Sequence, residues 1–187
     1  MDEDLKKACE VLKKGGVILY PTDTIWGIGC DATNEDAVKR VYEIKRRNDT
    51  KAMLTLLDST SRLERYVDDL PEIAYDLIEC SDKPLTIIYS GAKNLAQSLI
   101  ASDGTIGIRI TKEEFSQKLC RKFGRPIVST SANFSDEPAP SNFSEIKIEI
   151  QRLVDYVVNY RSDETQKSKP SSIIRLEKNG VVKIIRE

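Results

Sequence analysis

Four short segments of this chain gather hydroxyl, amide and cationic side chains, and none of them can call on a histidine, because the chain has none. That absence excludes Ser-His-Asp and Cys-His nucleophilic sites and histidine-ligated metals. It also leaves no group with an unperturbed pKa near neutrality, so any proton transfer falls to a carboxylate, a perturbed lysine or a substrate. The first segment, Tyr20-Pro21-Thr22-Asp23-Thr24-Ile25-Trp26-Gly27-Ile28-Gly29, follows an apolar run. Its small polar residues can hold a polar ligand, and its glycines let that ligand approach the backbone. An ordinary capped turn would use the same residues.

The second segment, Lys45-Arg46-Arg47-Asn48-Asp49-Thr50-Lys51, places four cations in seven residues. Phosphate suits such a cluster, since arginine offers a planar fork and lysine a point charge. Favourable charge at a helix C-terminus is the plainer alternative. The third, Pro126-Ile127-Val128-Ser129-Thr130-Ser131-Ala132-Asn133, is an apolar strand running out into hydroxyls and an amide. Ligands of open α/β sheets bind at such carboxyl ends. In the fourth, alternation places Thr105, Gly107 and Arg109 on one face of a strand, and a buried arginine there needs an anionic partner. Neither a G-x-x-x-x-G-K-[ST] loop nor a G-x-G-x-x-G turn is present, so a nucleotide would have to bind by another scheme.

The elements that must position these segments are legible from periodicity. A helix over 4–14 carries Leu5, Ala8, Cys9 and Leu12 on one face and ends at Gly15-Gly16. A strand over 17–20 leads into a glycine-rich turn at Gly27 and Gly29, and Asn34 caps a helix that finishes in Lys45-Arg46-Arg47. Strands are expected over 52–57, 85–89, 105–110, 126–129, 154–159, 172–176 and 181–185, and helices over 71–79, 93–100 and 113–123. Thr130 to Asn133 reads as a turn, 135–144 as loop and 161–170 as a polar connection. Lys178-Asn179-Gly180 supplies a closing hairpin. Strands interleaved with helices predict one α/β domain over 1–187, built on a mixed sheet with flanking helices.

Composition bounds the rest. With 187 residues, 40% hydrophobic and 32% charged, the chain has the makeup of a globular domain rather than a membrane or disordered one. Its longest apolar runs are too short to cross a bilayer, and its first residues lack the pattern of a secretory leader, so a cytoplasmic location is expected. Cys9, Cys30, Cys80 and Cys120 are too dispersed for a zinc site or redox pair, and read as small buried hydrophobes. A net charge of −1 does not mark a dedicated nucleic-acid binder.

Taken in order, the four segments resemble the YrdC-like family of threonylcarbamoyl-AMP synthases, from about Leu12 to Arg186. Tyr-Pro-Thr-Asp-Thr-Ile-Trp-Gly-Ile-Gly-Cys-Asp at 20–31 is similar to the family's opening signature, and Lys45-x-Arg47 and Ser131-x-Asn133 to its two hallmark motifs. The resemblance implies a twisted mixed sheet curled around a deep cationic cavity. It implies condensation of L-threonine, bicarbonate or CO2, and ATP into threonylcarbamoyl-adenylate and pyrophosphate, for the modification of tRNA adenosine 37. By similarity, Lys45, Arg47 and Lys51 would neutralise phosphates without any covalent catalytic residue. Thr105, Ser131, Asn133, Ala139 and Arg186 would place the nucleotide, and Thr24, Arg109, Ser129 and Ser172 the threonine. Mg2+ would arrive on ATP rather than on the protein. The partners implied are proteins of the later transfer step and, as an alternative use of the concave basic surface, double-stranded RNA or tRNA.

The chain departs from that pattern at several points. Asn48 and Ala52 replace the usual proline and proline or glycine, and Ser81-Asp82-Lys83-Pro84 replaces Trp-Pro-Gly-Pro. Asp136 stands for a glycine, Asn159-Tyr160 for Asp-Gly, and Leu56 for a histidine beside the threonine. These changes bear on amino-acid choice more than on the nucleotide, and leave open a relative that makes another carbamoyl-adenylate.

Overall fold

The structure, a computed structural model, describes residues 1–46, 53–166 and 170–187. Helix α1 (Asp2–Lys13) opens it, with Asp2, Glu3 and Asp4 in its first turn and Lys13 in its last, the arrangement a helix dipole favours. Leu5, Ala8, Cys9 and Leu12 form its buried stripe, and Gly15 leaves it at φ +77°. Asp155 then fixes the entry to the sheet, accepting the Val17 N–H at 2.7 Å while Arg40 Nη2 holds its other oxygen at 2.9 Å.

Strands β1 (Ile18–Tyr20) and β2 (Gly27–Gly29) pair antiparallel and are wholly buried. Gly27 and Gly29 therefore belong to a strand, not to the turn expected of them. Glycine is required at 29 because a Cβ there would lie 2.5 Å from Val128 O and 2.6 Å from Tyr20 Cε1. Helix α2 (Glu35–Lys45) starts as expected at Asn34, whose Oδ1 accepts the Ala37 N–H at 3.1 Å. Next come β3 (Leu54–Leu57), α3 (Ile73–Glu79), β4 (Leu85–Ser90), β5 (Thr105–Ile110) and α4 (Glu114–Phe123). Glu113 caps α4 by accepting the Ser116 N–H, and Gly124 ends it at φ +79°. The chain closes with β6 (Ile127–Ser131), α5 (Ile148–Leu153), β7 (Tyr156–Val157), β8 (Ser172–Leu176) and β9 (Val182–Arg186).

Among the described residues, nine strands form one mixed sheet in the order β7-β1-β2-β6-β3-β5-β4-β8-β9. Pairs β1–β7, β3–β5 and β4–β8 are parallel and the others antiparallel. Helices α1 and α4 pack on each other, α4 also on β3, and one cluster of buried apolar residues runs through the assembly. No helix among the described residues is long and apolar enough to cross a membrane.

Several local expectations are corrected. The 93–100 pattern yields only a 3₁₀ turn at Gln97–Leu99, because the apolar pair Ala96 and Leu99 is buried by a connection rather than by a helix face. Ser131 and Thr130 continue β6 instead of turning, held by pairing to Gly27 and Ile28. Helix α5 was not expected, and its Ile148 stays 62% exposed, so no clean apolar stripe announces it. Cys80 is exposed at the end of α3, whereas Cys9, Cys30 and Cys120 are buried. The hairpin does turn at Lys178–Gly180: Gly180 N–H donates to Glu177 O and Glu177 N–H to Val181 O, with Gly180 at φ +84°.

Candidate active site

Register brings the first, third and fourth segments onto one face of the sheet. Gly27 pairs with Ser131, Leu54 with Ser129, and Leu56 with Arg109, so β2, β6, β3 and β5 present these residues side by side. In front of them is a cavity of about 320 Å³ whose wall includes Thr24, Arg109, Ser129, Ser131, Ala139 and Arg186. Gly27 keeps this wall flat, since a Cβ there would meet Ser129 Oγ at 3.1 Å and Thr22 Cγ2 at 3.3 Å. Six of the residues implied by the resemblance thus converge on one hollow.

Arg109 is the electrostatic centre of that wall, with 2% of its surface exposed. Its Nη1 donates to Thr24 Oγ1 at 3.2 Å, and its Nε lies 3.6 Å from Asp23 Oδ2 with no hydrogen-bond partner. Burial pulls the guanidinium below its ordinary value, the Asp23 charge opposes this, and it stays protonated. The hydroxyls behind it have a fixed direction. Thr22 Oγ1 donates to Ile25 O at 2.8 Å, so it must accept from Thr24 Oγ1 at 3.1 Å, alongside the Thr24 N–H. Thr24 in turn accepts from Arg109, and the whole relay is set by one backbone carbonyl.

Lys45 lies elsewhere. It is 2% exposed, and its Nζ donates to Ser131 O at 2.6 Å and Asn133 O at 2.7 Å. It ties the end of α2 to the end of β6, and it does not line the cavity. Asn133 also faces away from it. Its Nδ2 donates to Phe134 O and Glu137 O, its Oδ1 is buried without a partner, and it lines a neighbouring hollow together with Ala139. Thr105 binds Asp103 through both its hydroxyl and its N–H and is not part of the wall. Ser172 is displaced by alternation: Ser171 and Ile173 reach the cavity and Ser172 does not. Arg47 and Lys51, with Asn48 and Ala52, lie outside the described residues.

Arg186 folds back over the cavity rim, donating from Nε and Nη2 to Ser171 O at 3.0 and 2.7 Å. Ser171, Thr22 and Asp23 are contributors the motif reading did not single out by role. Thr22 and Asp23 sat inside the first segment, but nothing in their spacing said which would face Arg109. Leu56 is fully buried and pairs in register with Arg109 across β3 and β5. Among the described residues no three His, Cys, Asp or Glu side chains gather as a metal-binding group.

Comparison with known proteins bears on the family and the fold. A family model for Sua5, YciO and YrdC proteins, described as "Telomere recombination", matches residues 10–187. A threonylcarbamoyl-AMP synthase of Pseudoalteromonas translucida is 35% identical over 155 residues, covering 81% of this chain and 83% of the relative. A putative threonylcarbamoyl-AMP synthase of Methanocaldococcus jannaschii is 35% identical over 189 residues, covering 98% and 87%. Among solved structures, E. coli YciO superposes with a TM-score of 0.85 at 26% identity, over 100% of this chain and 90% of its own. P. abyssi Sua5 complexed with L-threonine shares the fold, with a TM-score of 0.82 at 24% identity over 92% of this chain. This chain spans about half the length of that protein, 50% of it being covered. By motif order, sheet topology and relatives alike, the chain belongs to the Sua5/YciO/YrdC family.

Proposed function

We propose that the chain is a nucleotidyltransferase that makes L-threonylcarbamoyl-AMP from L-threonine, bicarbonate or CO2, and ATP, with release of pyrophosphate. The product would serve the threonylcarbamoyl modification of tRNA adenosine 37, in the cytoplasm, with residues 1–187 acting as one unit. The observation that carries this reading is Arg109: a buried guanidinium that gives one hydrogen bond, to Thr24, and has an unpartnered Nε, on the wall of a hydroxyl-lined cavity. A carboxylate is the ligand such a fork matches.

The chemistry requires alignment rather than a protein nucleophile. The threonine amine attacks CO2, or bicarbonate with loss of water, to give the carbamate. A carbamate oxygen then attacks the α-phosphorus of ATP, and pyrophosphate leaves. Arg109 and Thr24 would hold the amino-acid carboxylate, and Ser129 would orient the amine end beside it. Arg186 and the Ser131 strand end would flank the phosphates, with Arg47 and Lys51 as the sequence places them. Such fixed donors act where charge develops and need no reorganisation at the moment of reaction. Mg2+ would arrive with the nucleotide substrate, as the family resemblance implies.

Pyrophosphate release, measured with ATP, bicarbonate and each amino acid in turn, tests the assignment. Release that depends on L-threonine is expected. Release with equal rates for other amino acids would overturn the substrate and favour a different carbamoyl-adenylate, the reading to which buried Leu56, in register with Arg109, lends weight.

A further inference from the structure

Behind the catalytic wall lies a second cavity, of about 340 Å³, which shares Thr24 with the first. Asp23 lines the second cavity and Arg109 the first, so their 3.6 Å contact is the partition between two hollows of similar size. Asp23 is an unusual group to find there. Its side chain is only 10% exposed, yet its carboxylate accepts one long hydrogen bond, from Thr111 Oγ1 at 3.3 Å, and its other oxygen stays beyond hydrogen-bonding reach of Arg109. A carboxylate has room for about four hydrogen bonds, and burial without them is costly. The acceptor capacity left over belongs to a cation entering from the second cavity.

The rest of the lining narrows that cation to one class. Ile78, Leu85 and Ile110, with Pro84, give an apolar floor. Lys83 and Lys112 stand at the mouth with Asp82, all three exposed, so cations there outnumber the one carboxylate. Lys112 spends one N–H on Ser81 O at 2.9 Å, and Lys83 makes no ion pair among the described residues. Glu113 is already taken by Arg161 at 3.2 Å and by the Ser116 N–H. A polyanion would meet Asp23 and is disfavoured. A small zwitterion satisfies all three zones: ammonium on Asp23, apolar side chain on the floor, carboxylate between the lysines.

We propose that this second cavity binds a free α-amino acid with an apolar side chain, and that its occupancy tightens threonine binding in the first. The coupling has a direct physical route. An ammonium on Asp23 neutralises the charge that now offsets Arg109, and the guanidinium then holds a carboxylate more strongly. The coupling arm rests on the proposed synthase activity, whereas the binding arm does not.

Isothermal titration calorimetry of the whole chain, saturated with L-threonine, would use L-phenylalanine and L-isoleucine as probes, with phenethylamine and hydrocinnamate as half-ligands. One molecule of L-phenylalanine or L-isoleucine bound per chain is expected, with each half-ligand weaker by at least about tenfold. The double variant Lys83→Glu/Lys112→Glu alters two exposed side chains outside the catalytic wall. It should keep its melting temperature and its pyrophosphate release with threonine, yet lose that binding. The KM for threonine in the native chain should fall about fivefold when the probe is added, and should not move in the double variant. Absence of binding at millimolar probe, binding that survives the charge reversal, or a KM that rises with the probe would each overturn the proposal. Probe binding in a protein that releases no pyrophosphate would leave this site standing and sink the synthase reading instead.

Discussion

Among the described residues two cations are buried, Lys45 and Arg109, each with 2% of its surface exposed, and the regions around them treat the charge in opposite ways. At the end of α2, Lys45 is enclosed by the Ser131 and Asn133 carbonyls at 2.6 and 2.7 Å. At the middle of the sheet, Arg109 gives one hydrogen bond, to Thr24, and keeps its Nε idle beside Asp23. The first arrangement consumes a charge to join two elements. The second leaves the guanidinium short of partners, with burial pulling it below its ordinary value. Burial of a cation therefore does not by itself tell the two arrangements apart; the state of its donors does.

The sharpest way to break this contrast is Arg109→Ala. Pyrophosphate release should fall by roughly 10² to 10³, as for loss of a preorganised donor, with Arg109→Lys recovering little of it. Near-normal release would move the carboxylate site elsewhere. Lys45→Met should act on the fold instead, leaving the Asn133 carbonyl without its donor while Ser131 O keeps the Asn133 N–H, and costing roughly 2 kcal/mol in urea unfolding. A Lys45→Met protein of native stability but without activity would place Lys45 among the phosphate contacts and erase the distinction.

Thr22→Val sharpens the account of Arg109. It removes the acceptor for the Thr24 hydroxyl and N–H, and should destabilise by about 1 kcal/mol. The KM for threonine should rise several-fold with kcat retained, since Thr24 loses its orientation and the phosphates do not; an unchanged KM would show the relay to be idle. The smallest effect is in acid. Asp155 is held below the ordinary carboxylate value, first by its hydrogen bond from Arg40 and then by the Val17 N–H. Burial pushes Asp4 up, but the Tyr156 hydroxyl and the N–H groups of Asn159 and Tyr160 outweigh it and leave it lowered. A depressed carboxyl stabilises the fold above its unfolded pKa and loses that contribution as pH falls through its folded one. Stability should thus decline below about pH 4, and less steeply in Asp155→Asn. An equal slope in the variant would assign the acid limb to other groups.

Much of this was legible in residue order. Asn34 and the Leu5–Leu12 stripe announced their helices, because each depends on neighbours a few positions away, whereas Thr24, Ser129, Ser131 and Arg109 were named together only through the order of the motifs and their resemblance to a known family. What stayed hidden depends on partners far along the chain. Gly27 and Gly29 look like a turn until Ser129, Val128 and Tyr20 crowd against them. Lys45 looks like a phosphate cation until Ser131, at the end of β6, and Asn133, just beyond it, supply carbonyls 86 and 88 positions away. Asp23 looks like turn chemistry until β5 brings Arg109 within 3.6 Å. Ser171 and Ser172 are told apart only by the phase of a strand whose start no motif marks.

Of the four cysteines, Cys9, Cys30 and Cys120 are buried, and burial pushes the Cys30 and Cys120 thiols well above their ordinary value. Cys80 alone is exposed, at the end of α3, between Ile78 and Ser81 of the second cavity. The native chain therefore carries a single addressable handle for a maleimide dye, and it stands one residue before Ser81, which lines the hollow behind Arg109. A fluorophore placed there needs no engineered substitution, and its emission would report on that neighbourhood in the unmodified sequence.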